Sequence, residues 1–251
     1  MRFFVVAFGI VSYLVFLVAF LYSVGFVGDL FVPKTINSGV EGPAAQAVLI
    51  NLLLLGLFAV QHSVMARPAF KRWWTQIVPR SLERSIYVLL SSLLLLLLFW
   101  QWQPLTGVVW SIESEIGRFL LHALFWLGWL IVLLSTFMIS HLDLFGLRQV
   151  WLRLREQSYR PLPFREVALY KVVRHPIMLG FLLAFWATPD MTQGHLLFAL
   201  ATTGYILIGI FLEERDLLTA FGRQYEQYRQ RVPMLLPWPR RETAVAEPQG
   251  D

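Results

Sequence analysis

Cysteine is absent from the 251 residues, which excludes disulfides, thiolate-bound metals, iron–sulfur clusters and a cysteine nucleophile. Charge is scarce too: 15% of the residues are Asp, Glu, Lys or Arg, against about a quarter in an ordinary soluble domain. No internal repeat is visible. The sequence is instead 57% hydrophobic with a mean hydropathy of +0.60, a composition that needs a bilayer as solvent. The length suits one compact bundle.

A membrane span needs about 20 mostly apolar residues. Candidate runs lie at 3–27, 45–65, 85–103 and 118–140, and two more at 176–188 and 195–212 flank Pro189, Asp190 and Gly194. The run 176–188 is short for a full crossing and reads as half of a tight helical hairpin. The expected architecture is therefore all-α: a polytopic integral membrane bundle of five to six transmembrane helices ending in a helical hairpin. A single domain would occupy 1–240 and a disordered tail 241–251. The 3–27 run exceeds the apolar core of a signal peptide and reads as a retained first helix.

Basic residues alternate along the chain. Arg67, Lys71, Arg72, Arg80 and Arg84 cluster between the second and third runs. Arg148, Arg153, Arg155, Arg160, Arg165, Lys171 and Arg174 follow the fourth run. Arg215, Arg223, Arg229, Arg231, Arg240 and Arg241 follow the last. The intervening loops hold Lys34 alone, or the acids Glu113 and Glu115. By the positive-inside rule the basic loops and both termini face the cytoplasm. The net charge of +5 thus reflects orientation in a lipid bilayer, with no nucleic acid and no obligate protein partner indicated. Trp73, Trp74, Trp100, Trp102, Trp110, Trp151 and Trp238 fall near span ends, where interfacial anchors sit.

Two constellations carry chemistry. Tyr170 to Gly180 reads Y-K-V-V-R-H-P-I-M-L-G. Proline biases its predecessor away from helix and favours the first helical position, so a helix should begin at Pro176 with His175 at its cap. A helix start beside Arg174 is a ready anion site, and Gly180 would admit a backbone or ligand. The second constellation begins at Glu213 and Glu214. Glu214, Leu218, Phe221, Tyr225 and Tyr228 are spaced to share one helical face. Carboxylates at the membrane edge need a cation, which is either Arg215 or a bound ligand. An anion site, carboxylates and aromatic walls suit a zwitterion with a further positive centre, such as S-adenosylmethionine; phospholipid head groups carry similar charges.

V-R-H-P-I-M-L-G, then E-E-R-D-L and F-G-x-x-Y-x-x-Y-x-x-x-V-P, resembles the isoprenylcysteine carboxyl methyltransferase-like membrane enzymes. In that family the arginine-histidine-proline turn and the later glutamate pair surround S-adenosylmethionine. Met178 stands where the family usually has an aromatic residue. The stretches 58–74, 141–151 and 182–199 look like the bacterial enzymes that methylate methanethiol to dimethyl sulfide. The resemblance covers about 58–238. It implies a methyltransferase in the bacterial inner membrane that uses S-adenosylmethionine, without a metal, on a small thiol. Cofactor contacts would then fall to Arg148, Gln149, Tyr170, Arg174, His175, Pro176, Gly180, Glu213, Glu214, Tyr225 and Tyr228.

A thiol must lose its proton to attack a sulfonium methyl, so a base or cation is expected nearby. His62 and Ser63 at the end of the second span, and His141 and Asp143 at the end of the fourth, are the catalytic candidates. A histidine beside a carboxylate would hold one tautomer and accept the proton. Arg148 would either cap the cofactor or neutralise Asp143. His122 and His195 fall on the outer side and read as structural, and Asn51 and Gln46 as interhelical hydrogen-bonding groups. Two other readings stay open: methylation of a prenylated carboxylate or other hydrophobic acceptor, and a haem-binding or denitrification-associated membrane protein with His62 and His141 as ligands.

Overall fold

The computed structural model describes residues 2–237. Trp238, Arg240, Arg241 and the tail expected over 241–251 lie outside the described residues. Five helices are long and apolar enough to cross a membrane: α1 (Arg2–Gly28), α2 (Ala44–Ala66), α4 (Arg80–Gln101), α5 (Glu115–Ile139) and α9 (Gln193–Phe221). Short helices α3 (Pro68–Trp74), α6 (His141–Leu144) and α7 (Leu147–Leu154) lie between them. The helix α8 (Pro176–Trp186) and the C-terminal α10 (Arg223–Arg231) complete the set. The protein is an integral membrane helical bundle.

Two short strands add to the all-α expectation. β1 (Val108–Ser111) and β2 (Asp190–Thr192) pair antiparallel, with Ser111 opposite Asp190. Strands this short leave too few residues for an alternating pattern to register. The pairing ties the α4–α5 loop to the α8–α9 loop, so both lie on one side of the bundle. α8 has only 11 residues, about 16 Å of helix, yet with its extended flanks it carries the chain from the basic side to the sheet side. α9 has 29 residues, about 43 Å at the helical rise, and outruns a hydrocarbon core of about 30 Å. Its last turns, with Glu213 and Glu214, therefore project towards the basic loops.

The core is aromatic and aliphatic. Phe26, Leu98, Phe99, Trp102, Phe125, Trp129, Phe185, Phe198, Ile206 and Ile210 pack together, drawn from α1, α4, α5, α8 and α9. Trp102 corrects one expectation: it is fully buried, with its indole Nε1 donating to the Ile36 carbonyl at 3.1 Å, and is no interfacial anchor. Trp73, Trp100 and Trp151 are exposed. Asn51 joins α2 to the end of α4 through both of its amide atoms, donating to the Gln103 carbonyl at 2.8 Å and accepting from the Gln103 N–H at 2.9 Å.

α8 is held tightly against α5. A Cβ at Gly180 would lie 2.6 Å from the Gly128 carbonyl oxygen, and a Cβ at Gly128 would lie 2.6 Å from the Gly180 carbonyl oxygen. Small residues allow this approach in a membrane, where helices associate by packing rather than by a hydrophobic drive. The space that glycine leaves at Gly180 is thus taken by a neighbouring helix, against the expectation of a cofactor contact there.

Candidate active site

Pro176 occupies the first position of α8, and His175 precedes it with extended φ. The residues just before α8 pair with the end of the described chain: the Arg174 N–H donates to the Pro233 carbonyl at 2.9 Å and the His175 N–H to the Met234 carbonyl at 3.2 Å. The segment after α10 is thereby laid across the start of α8.

The Arg174 side chain, 4% exposed, has a partner at each of its three nitrogens. Its Nε donates to Glu214 Oε1 at 2.7 Å, and its Nη2 lies 2.7 Å from the same oxygen. Its Nη1 donates to the Val232 carbonyl at 2.6 Å and the Arg229 carbonyl at 3.1 Å, capping the end of α10. Arg174 therefore spends its charge on Glu214 and on helix-end carbonyls, which favour a cation. It does not turn a free guanidinium to an anion, as a simple anion site would require. The partner of Glu214 is Arg174; Arg215 is exposed.

His175 bridges the glutamate pair. Its Nε2 is 3.1 Å from Glu214 Oε1 and its Nδ1 is 3.7 Å from Glu213 Oε2. Arg229 Nη1 stands 4.0 Å from Glu214 Oε2. Arg174, Glu214, Arg229 and Gln230 line an open cleft of about 400 Å³. The helix start at Pro176 and the acidic end of α9 thus meet in one place.

The aromatic wall differs from the expected continuous face. Gly222 adopts φ +53° and separates α9 from α10, so Glu214, Leu218, Phe221, Tyr225 and Tyr228 do not share one helix. They still converge, because Phe164 packs on Phe221, Tyr225 and Tyr228 with ring centroids 5.2 to 5.8 Å apart. The Tyr228 hydroxyl donates to the Tyr170 carbonyl at 2.6 Å. Burial pushes the Tyr228 hydroxyl up to about 12. Burial, with Glu214 as the next cause, raises the Tyr225 hydroxyl, and burial followed by Glu213 raises that of Tyr170. All three stay neutral donors at physiological pH. Phe164, Gln230 and the carbonyls of Val232 to Met234 carried no signal as site groups in the sequence: the first is one of two aromatics in a polar loop, and backbone atoms leave no residue pattern.

Tyr225 Oη is buried without a hydrogen-bond partner among the described residues. A buried unpaired hydroxyl costs about 1–3 kcal/mol. Tyr225→Phe is therefore expected to leave thermal stability unchanged or raised, while weakening any ligand that uses the hydroxyl. Differential scanning fluorimetry beside titration calorimetry separates the two effects. A variant that loses stability and keeps ligand affinity would show the hydroxyl to be structural.

The four residues expected to do proton chemistry fall in two separate places, His62 and Ser63 in α2 and His141 and Asp143 in α6. His62 lies in α2 against α4, with its Nε2 2.8 Å from the Tyr87 hydroxyl and its Nδ1 3.3 Å from Ser91 Oγ. The Ser63 carbonyl accepts from Arg67 Nε at 3.2 Å. His141 uses both ring nitrogens, on Tyr13 at 2.9 Å and Thr136 at 2.8 Å, and stacks on Phe137. Burial lowers its pKa and keeps it neutral. Asp143 is bound by Arg148 at 2.9 Å, and also takes bonds from Gln149 and Tyr159. His62 and Asp143 bond to different partners, and Arg148 neutralises Asp143 and is not among the residues lining the Glu214 cleft. His62 and His141 each face their own partners, so they do not form a pair of axial ligands.

The model of the NnrU protein family matches residues 49–232, which include the whole Arg174–Glu214 cluster. The chain is 60% identical to methanethiol S-methyltransferase of Mycobacterium tuberculosis, over 96% of this chain and 99% of that one. It is 58% identical to methanethiol S-methyltransferase 2 of Bradyrhizobium diazoefficiens, over 93% and 90%. It is 51% identical to the methanethiol S-methyltransferase of Crocosphaera subtropica, over 94% and 93%. No solved structure matches the chain. The chain belongs to the NnrU protein family and, within it, to the group of membrane methyltransferases that these relatives form.

Proposed function

We propose that the protein transfers a methyl group from S-adenosylmethionine to methanethiol, giving dimethyl sulfide, at the cytoplasmic side of a bacterial inner membrane. The observation that carries this reading is the cluster of Arg174, His175 and Glu214, of which Arg174 and Glu214 line a cleft with Arg229 and Gln230. Both termini would face the cytoplasm, and 1–240 would act as a single domain.

The residues of the cleft fit this donor. Glu213, half-exposed beside His175, supplies negative charge for a cationic centre, and the Tyr225 hydroxyl is a buried polar group without a partner among the described residues. The rings of Phe164, Tyr225 and Tyr228 stand beside them. S-adenosylmethionine brings an electrophilic methyl group on sulfur. The protein's task is to hold donor and thiol in line, and positioning alone can supply about 7–11 kcal/mol of the barrier. Arg174 acts as a positioning residue, fixing Glu214 and the end of α10. His62 would be the proton acceptor in this reading: its imidazole, held by Tyr87 and Ser91, would take the S–H proton of the acceptor thiol, while S-adenosylmethionine, when bound, would supply the methyl group.

The decisive assay is headspace gas chromatography of membranes supplied with methanethiol and S-adenosylmethionine. Dimethyl sulfide is the expected product, and its absence from well-folded protein rules out the assignment. His62→Gln is expected to lower turnover by about 10²-fold, the usual contribution of a general base, with donor affinity unchanged. The loss should shrink at higher pH, where the thiol ionises unaided. A loss that is constant across pH would remove His62 from the proton transfer.

A further inference from the structure

A stripe along α9 connects the Glu214 cluster to His62. Tyr205, Gly209 and Glu213 follow at intervals of four, so they lie on one side of the helix, and Asp216 falls seven residues beyond Gly209 on the same side. Two of these residues touch α2. The Tyr205 ring meets the edge of the His62 ring at a centroid distance of 6.4 Å, and that of Phe58 at 6.1 Å. Asp216 Oδ2 accepts from Arg67 Nη1 at 2.8 Å. Glu213 turns towards the cleft, with Oε2 3.7 Å from His175 Nδ1.

Gly209 lies between these contacts, and the space beside it is open. A Cβ built there meets no atom within 4 Å, whereas one at Gly128 or Gly180 meets backbone at 2.6 Å. Gly204 also has open space, but it is exposed on the lipid-facing side, while Gly209 is partly buried. The Tyr205–His62 contact precedes Gly209 along α9 and the Arg67–Asp216 ion pair follows it, so contacts with α2 flank the open position on both sides. With Tyr205 on the same side of α9 and the His62 imidazole in contact with it, the position suits a small neutral thiol.

We propose that the space beside Gly209, between α2 and α9, is the chamber that receives the methyl acceptor, and that the missing side chain at Gly209 sets its size. This rests on reading the protein as a thiol methyltransferase. A two-heavy-atom thiol partitions into the bilayer and needs no polar path to the gap. His62 lies against Tyr205 to take its proton, and Glu213 borders the donor cleft. Gly209 is then a specificity-determining residue.

The test uses full-length protein in membranes, with methanethiol and ethanethiol as acceptors. Gly209→Leu is expected to lower kcat/KM for methanethiol by at least about 30-fold, within the range that pocket methylenes produce. Its S-adenosylmethionine affinity by calorimetry should stay within about twofold, since Gly209 is not among the residues that line the donor cleft. Gly204→Leu is expected to behave like the unsubstituted protein. Gly209→Ala adds one methyl group and should disfavour ethanethiol relative to methanethiol by about tenfold, so it carries the test alone if Gly209→Leu does not accumulate. Unchanged kcat/KM in Gly209→Leu, or an unchanged ethanethiol-to-methanethiol ratio in Gly209→Ala, overturns the chamber while leaving the thiol methyltransferase reading intact. An inactive unsubstituted protein overturns both.

Discussion

Arg174→Lys is expected to abolish donor binding and to destabilise the protein by about 2–3 kcal/mol, although it conserves the charge. The guanidinium serves three acceptors at once: Glu214 Oε1, the Arg229 carbonyl and the Val232 carbonyl. An ammonium group is a compact point charge and cannot reproduce that planar fork. Arg174→Ala should cost more, about 3–5 kcal/mol, because a mostly buried carboxylate loses its partner. The informative companion is Arg174→Met with Glu214→Leu. Replacing both members of a buried pair by apolar groups is often neutral for stability, so the double variant should regain much of its melting temperature while still failing to bind S-adenosylmethionine. Thermal unfolding in detergent and calorimetry measure the two properties separately. Normal donor binding by the double variant would move the site away from this pair.

Gly180→Ala is the second large effect, expected at about 2–3 kcal/mol by analogy with overpacked interiors, and Gly180→Leu should prevent folding. The new Cβ would lie 2.6 Å from the Gly128 carbonyl oxygen and 2.9 Å from the Val132 nitrogen, both backbone atoms that cannot rotate aside. Relief requires α5 and α8 to separate. Because α8 starts at Pro176, moving it displaces His175 and Arg174, so methyl transfer should fall together with stability. Gly128→Ala should give the same result from the opposite helix. Thermal unfolding and dimethyl sulfide production measured on the same preparations check the coupling. A Gly180→Ala protein with undiminished melting temperature and turnover would show that the two helices are not locked at this point.

Much of the bundle was legible because a bilayer imposes a coarse pattern: about 20 apolar residues for each span and arginines between them. The start of α8 was legible from His175-Pro176, since proline acts on local backbone geometry whatever the tertiary context. Other features depended on long-range packing. Trp102 reads as an interfacial anchor by position, but the Ile36 carbonyl and the Phe26 and Phe198 rings take it into the core. The spacing from Glu214 to Tyr228 suggested an unbroken helical face, whereas Gly222 at positive φ breaks it and Phe164 draws the aromatic residues together. His62 and Asp143 both end a span, but their partners, Tyr87 and Arg148, are fixed by helix neighbours that no local pattern reveals.

The bonds from Arg174 and His175 to Arg229, Val232, Pro233 and Met234 bear on biosynthesis. The Val232 carbonyl lies 58 residues downstream of the arginine it binds. A nascent chain can insert every spanning helix before those carbonyls leave the ribosome, and during that interval Arg174 has only part of its ligand set. Catalytic competence should therefore arrive late and abruptly, once residues 229–234 have left the ribosome and folded over the start of α8. Chains stalled or cleaved before Val232 would remain in the membrane as inert bundles.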